Sequence, residues 1–287
     1  MNPFDLRGPE FLLFYFFFSL VVILAIVILR RRAESGDAPK IDLGDPYLIA
    51  YLRGGENEAL RVAVISLVDR GLLVMNEQRI RRADHVTNNM APHPVEYEVL
   101  KKFGAQGEAA SIFKDDRLKA VFQPYRQKLE SAGLLPDAEA RKARGIRFLL
   151  AFMALCGVGA IKLEIGLSLG RPVGFLIVMM IVALIVAAFA SFPRLTARGK
   201  AMLADIRKLC SGLKTRVTSL SSGSAPAELA MFAAVFGVGA LAATPYGYAQ
   251  TLFPQATSSS SCGSSCGSSD GGGGGSCGGG GCGGCGS

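Results

Sequence analysis

Residues 11–29 form a run of nineteen without a charge, broken only by Tyr15 and Ser19, and the run stops on Arg30, Arg31 and Arg32. At about 1.5 Å per residue, a helix of that length matches the thickness of a bilayer core. The arginine triplet places its C-terminal end in the cytoplasm by the positive-inside rule. The head, residues 1–10, has one arginine against Asp5 and Glu10 and is expected outside. A cleaved signal peptide would need a basic start and a small-residue cleavage site, and neither is present.

Two more apolar runs define a second span over 146–169 and a third over 172–192, joined by a tight outside turn at Gly170, Arg171 and Pro172. Lys162 and Glu164 fall near the outer end of the second. An intramembrane functional pair is one reading; a snorkelling lysine beside an interfacial glutamate is the simpler one. A chain of 287 residues, 50% of them hydrophobic, has room for these spans and one further domain. The formal charge of +8 is concentrated beside the apolar runs, and no Lys or Arg follows Ser221. The excess is therefore a topology signal before it is a nucleic-acid signal.

Residues 193–220 hold seven basic residues against Asp205 alone. Leu203, Ile206 and Leu209 set a narrow apolar stripe on this basic helix, which is expected to lie on an anionic inner leaflet. Residues 228–250 are expected to form a fourth span. Its apolar part, 229–243, is short, Ala233 and Gly237 suit close helix packing, and Tyr246 and Tyr248 would be interfacial anchors. Pro245 opposes a continuous helix there. A crossing at this point puts everything after it outside; the alternative, a short helix lying against the other spans, leaves the tail in the reducing cytosol.

Residues 33–145 lie between the first and second spans and are expected in the cytoplasm. Asp45 caps a helix with Pro46 at its first position. Leu60, Val64, Leu67 and Val68 share a face of a second helix over 57–70. Gly71 ends it, and the stretch from Leu72 onward reads as a small hairpin or wing. A helix over 94–103 and further helices over 111–131 repeat the pattern. LVDRGLLV and LESAGLLP lie sixty-two residues apart, which suggests two similar stacked units. The pattern predicts tandem winged-helix-like units in an α+β domain. Arg79, Arg81 and Arg82 in the wing could contact phosphates. Over residues 30–145, however, twenty basic side chains face seventeen acidic ones, so nucleic acid is the disfavoured partner and a protein partner the favoured one.

Chemistry is scarce elsewhere. His85 and His93 have no third metal ligand at a fixed spacing. Gly157 and Gly159, like Gly237 and Gly239, sit inside apolar helices and suit packing better than phosphate binding. Cys156 and Cys210 are isolated and read as inert thiols. What remains is the tail, 258–287, made almost wholly of Gly and Ser, with Cys262, Cys266, Cys277, Cys282 and Cys285. It has no apolar residues to bury and is expected to be disordered. Its thiolates could take a soft metal such as Cu(I) or Zn, form disulfides if exported, or be substrates of a cysteine-modifying enzyme; a low-complexity extension without a defined role is the plain alternative.

The opening NPFDLRGPEFLLFY, the DPYLIAYLRGG helix start, the Gly-Leu-Leu closures, the segment PRLTARGKAML and the Gly/Cys tail resemble a family of uncharacterised bacterial membrane proteins with glycine- and cysteine-rich C-termini. That resemblance implies a multi-pass protein of the bacterial inner membrane and supplies no catalytic residue. The sequence reading is thus a mainly α, multi-span membrane protein with its N-terminus and tail outside and a cytoplasmic domain of winged-helix-like units. It is expected to be an interaction or scaffold protein, not an enzyme, in contact with the bilayer and an unidentified protein. A thiol-tail protein for metal or redox handling is the alternative, and a membrane-tethered DNA-binding regulator the third.

Overall fold

The computed structural model describes residues 8–34, 36, 44–76, 79–87, 90–91, 93–168, 174–213, 216 and 226–253. Three helices among them are long and apolar enough to cross a membrane: α1 (Gly8–Glu34), α7 (Ala138–Ser168) and α8 (Gly174–Ser191). They pack together through Phe11, Tyr15, Ile26, Ala151, Leu155, Leu176 and Ala187, and the Tyr15 hydroxyl donates to the Leu155 carbonyl at 3.2 Å. Their outer faces are bare: Phe175 is 81% and Phe189 78% exposed. Phenylalanines this open in a continuous apolar surface match a hydrocarbon solvent, not water. The expected turn at 170–172 lies outside the described residues.

The helical domain begins with α2 (Pro46–Gly54) and α3 (Glu56–Asp69). Asp45 caps α2 as its position before proline suggested, accepting from the Tyr47 backbone N–H at 2.8 Å. The hairpin after α3 is present as β1 (Leu73–Asn76) and β2 (Arg79–Arg82), paired antiparallel with Met75 opposite Ile80. α4 (Pro94–Lys102) follows, and then β3 (Gly107–Glu108) adds a third strand beside β2. A 3₁₀ turn (Ala109–Lys114), α5 (Asp116–Ala120) and α6 (Gln123–Ser131) complete the region. One continuous core runs from Tyr47 to Leu135. Inside it Glu96, 4% exposed, takes the Tyr47 hydroxyl and the Arg70 guanidinium, the latter at 2.7 Å. A buried carboxylate is tolerable only with partners of this kind.

The suspected repeat is real as a local closure. Gly71 (φ 70) and Gly133 (φ 69) end α3 and α6 in the left-handed region, and the next residue, Leu72 or Leu134, donates back to Leu67 or Leu129 at 2.9 and 3.0 Å. The two units then diverge. The first Gly-Leu-Leu leads into a hairpin, whereas after the second the chain enters α7 at Ala138. Among the described residues there is one three-stranded sheet, which draws β3 from the second unit.

The largest departure from the sequence reading concerns 228–250. This stretch is not one helix. It comprises α10 (Pro226–Phe236), a 3₁₀ turn (Val238–Ala243) and a short helix (Tyr248–Leu252). Gly237, at φ 99, breaks the first from the second. Eleven residues rise about 16 Å, about half of what a span requires. Instead α10 packs against α2 and α3, burying Leu229, Ala230, Phe232, Ala233, Ala234 and Val235 in the domain core. Tyr246, expected as an interfacial anchor, is fully buried there as well. Most of the segment's apolar side chains are covered by protein, with Ala227 and Ala240 left at the surface.

The basic helix is also reassigned. α9 spans Ala197–Leu209, and Leu203 and Ile206, 6% and 3% exposed, face protein rather than lipid; Leu209, at 77%, does not join them. α9 is bound to the end of α6. The Thr196 hydroxyl donates within reach of both the Gly133 and Leu134 carbonyls, at 2.7 and 3.0 Å, and accepts from the Gly199 N–H at 3.1 Å. A Cβ on Gly199 would lie 2.4 Å from the Leu134 carbonyl oxygen, a backbone atom that cannot swing away. Gly199→Ala is therefore expected to destabilise the domain by about 1–3 kcal/mol, the range for overpacking a filled site. Denaturant unfolding of the detergent-solubilised protein measures it, and an unchanged midpoint would remove this contact from the account.

Candidate functional site

The side chains with unusual surroundings gather where the three spans meet the domain. Arg144, 3% exposed, and Glu34, 9%, form a buried pair: Arg144 Nε donates to Glu34 Oε1 at 2.7 Å and Nη1 to the Pro193 carbonyl at 2.6 Å. Arg30 donates to the Ala190 carbonyl, with its Nε 4.0 Å from Glu34 Oε2. α1, α7 and the end of α8 are tied together here by charge-assisted bonds in a site with little water, where such bonds are strong.

Beside this knot opens a cleft of about 270 Å³ lined by Tyr51, Arg126, Glu130, Leu135, Pro136, Arg141 and Arg194. Arg126 Nε donates to Glu130 Oε1 at 2.9 Å and Arg141 Nη2 to the same oxygen at 3.0 Å. Arg194 Nη2 donates to the Tyr51 carbonyl at 3.0 Å, closing the end of α2, and its guanidinium lies 6.0 Å from the Tyr51 ring centroid. The segment PRLTARGKAML thus has a structural task at each step. Pro193 receives Arg144, Arg194 caps α2, Thr196 and Gly199 weld α9 to α6, and Leu195 and Met202 pack against the core.

A third polar group joins two helix starts. Asp45 caps α2, and His93 caps α4 by accepting from the Val95 N–H through Nδ1 at 3.3 Å. His93 Nε2 lies 3.0 Å from the Tyr125 hydroxyl and 3.6 Å from Asp45 Oδ2. Burial alone would raise the Asp45 carboxyl, but the His93 hydrogen bond and the Tyr47 and Leu48 N–H groups outweigh it and hold the group below its ordinary value of 3.8. A depressed carboxyl adds stability above its unfolded value, and that stability is lost as pH falls through the folded value. Asp45→Asn is accordingly expected to flatten the loss of stability between about pH 5 and pH 2. Unfolding midpoints across that window check it; parallel curves for variant and parent would contradict it.

The residues singled out in the sequence fare unevenly. Cys262, Cys266, Cys277, Cys282 and Cys285 lie outside the described residues. Among the described residues no three His, Cys, Asp or Glu side chains are grouped to hold a metal. His85 is exposed, whereas His93 is engaged with Val95, Tyr125 and Asp45. In the hairpin, Arg81 pairs with Asp84 at 2.7 Å and Arg79 is exposed. Lys162 sits over the Phe11 ring, 4.9 Å from its centroid, while Glu164 is exposed. Cys156 and Cys210 are free thiols, and desolvation pushes the Cys210 thiol up. Glu34, Arg144 and Arg194 were hidden among charges that read as flanks of spans; the one available signal was an acid four residues after Arg30. Compared with models of known families, with characterised proteins and with solved structures, the chain gives no match.

Proposed function

We propose that the chain is a membrane-anchored cytoplasmic platform of the bacterial inner membrane, which binds a protein partner through its helical domain and holds its thiol tail on the cytoplasmic side. The observation that carries this reading is the docking of 226–253 onto the domain. Arg53 pairs with Glu58 and donates to the Ala233 carbonyl at 3.4 Å. Arg61 lies over both Phe113 and Phe253, 5.1 and 5.9 Å from their centroids, so the last described residue is still on the domain.

From Phe253 to Cys262 is nine residues, about 30 Å when fully extended. That is barely a bilayer core, and no apolar run follows from which to build a span. With Arg30, Arg31 and Arg32 at the domain end of α1, the positive-inside rule puts domain and tail together in the cytoplasm. The tail cysteines are then reduced thiols, available to a soft metal or a modifying enzyme, and not disulfides. The winged-helix-like start, α2 to β2, would serve as a protein-binding surface. To test the reading, Cys156 and Cys210 are changed to Ser and intact spheroplasts are treated with a membrane-impermeant maleimide. The tail is expected to be labelled only after lysis; labelling before lysis would overturn the assignment.

A further inference from the structure

The cleft between α6, α7 and the end of α8 has a use that the anchoring role does not require. Arg126, Arg141 and Arg194 converge on it, and the acids that face them are Glu130 within the cleft, Glu56 at the start of α3 and, beyond it, Glu58, which is already paired with Arg53 and Arg61. With Glu58 matched by Arg53 and Arg61, three guanidiniums against Glu130 and Glu56 leave a net positive opening. A guanidinium carries five N–H donors. The bonds to Glu130, Asp137 and Tyr51 use one on Arg126, two on Arg141 and one on Arg194, so the cleft is rich in donors and short of acceptors.

Its position adds the second part of the argument. Arg141 lies six residues, about 9 Å of helix, before Arg147, where the uninterrupted apolar run of α7 begins. Arg194 lies three residues past Ser191, the end of α8. The opening therefore stands just outside the hydrocarbon, at the level of phospholipid headgroups. Planar forks at that depth match the oxygens of a phosphate group, and Tyr51 supplies an aromatic wall beside them.

We propose that this cleft is a binding site for a phosphate group at the cytoplasmic membrane surface, carried on an anionic phospholipid or free in solution. The carboxylate of Glu130 occupies two of the arginines when the site is empty and yields them to the stronger acceptor. The purified full-length protein is titrated in neutral detergent with phosphatidic acid, with phosphatidylcholine or with inorganic phosphate, and its thermal unfolding is followed.

Phosphatidic acid is expected to raise the unfolding temperature well beyond phosphatidylcholine. Arg126→Gln with Arg141→Gln should weaken the effect by about tenfold or more per arginine. Both arginines are partly exposed and paired on the surface, so the variant is expected to fold normally without lipid. Glu130→Gln works in the opposite sense: losing the internal competitor, it should bind more tightly than the parent. A full shift with inorganic phosphate assigns the soluble source, and a shift with phosphatidic acid alone assigns the lipid. Equal shifts in parent and double variant, or no shift with either phosphate, would overturn the proposal.

Discussion

Arg144→Ala is expected to cost about 3–5 kcal/mol of stability, the range for stranding one member of a buried ion pair. The substitution leaves the Glu34 carboxylate at 9% exposure with Arg30 4.0 Å away as its nearest remaining cation, and it also releases the Pro193 carbonyl. The loss is electrostatic desolvation more than lost attraction, so removing both charges should recover most of it. Arg144→Met with Glu34→Leu is expected to unfold close to the parent, because well-packed apolar replacements of buried pairs are often neutral. Denaturant unfolding of the solubilised protein reads both values. A double variant as weak as Arg144→Ala would mean that the pair is required for more than charge balance.

The second large effect is expected at Phe232. It is 2% exposed and packs in the core shared by α2, α3 and α10, so Phe232→Ala should cost about 3–5 kcal/mol. Phe175→Ala supplies the control, since that ring is 81% exposed on the outer face of α8 and its truncation should leave the unfolding midpoint almost unchanged. Comparable, small effects at the two sites would mean that both rings face detergent, and would return 228–250 to the membrane.

The contrast between these two phenylalanines marks how far the sequence could be read. The three long helices were legible because lipid makes one demand, apolar length with few charges, and α1, α7 and α8 each meet it over an 18-residue window holding no more than two. The Asp45 cap, the Gly71 and Gly133 closures and the hairpin were legible because each is settled by neighbours in sequence. α10 was misread because a helix largely buried in protein has the same composition as one buried in lipid, and only its length differs. The stripe of α9 suffered similarly: Ile206 needed an apolar partner, and α2 supplies it in place of the bilayer. Arg53 and Arg61 gave no hint in sequence that they would fix the C-terminal segment, for their partners Ala233 and Phe253 lie some 180 and 190 residues away. The Arg144–Glu34 pair and the arginine cleft arise from the same kind of long-range meeting.

The central claim is that the C-terminal segment folds back on the helical domain, and a cross-link tests it most directly. In a chain with all seven native cysteines replaced by serine, Phe113→Cys and Phe253→Cys stand where two rings now lie 5.7 Å apart. A short, membrane-permeant bismaleimide added to intact cells is expected to join them within one chain, and an impermeant maleimide added first should not block the reaction. Blocking by the impermeant reagent, with no cross-link formed, would place residue 253 across the membrane and contradict the account.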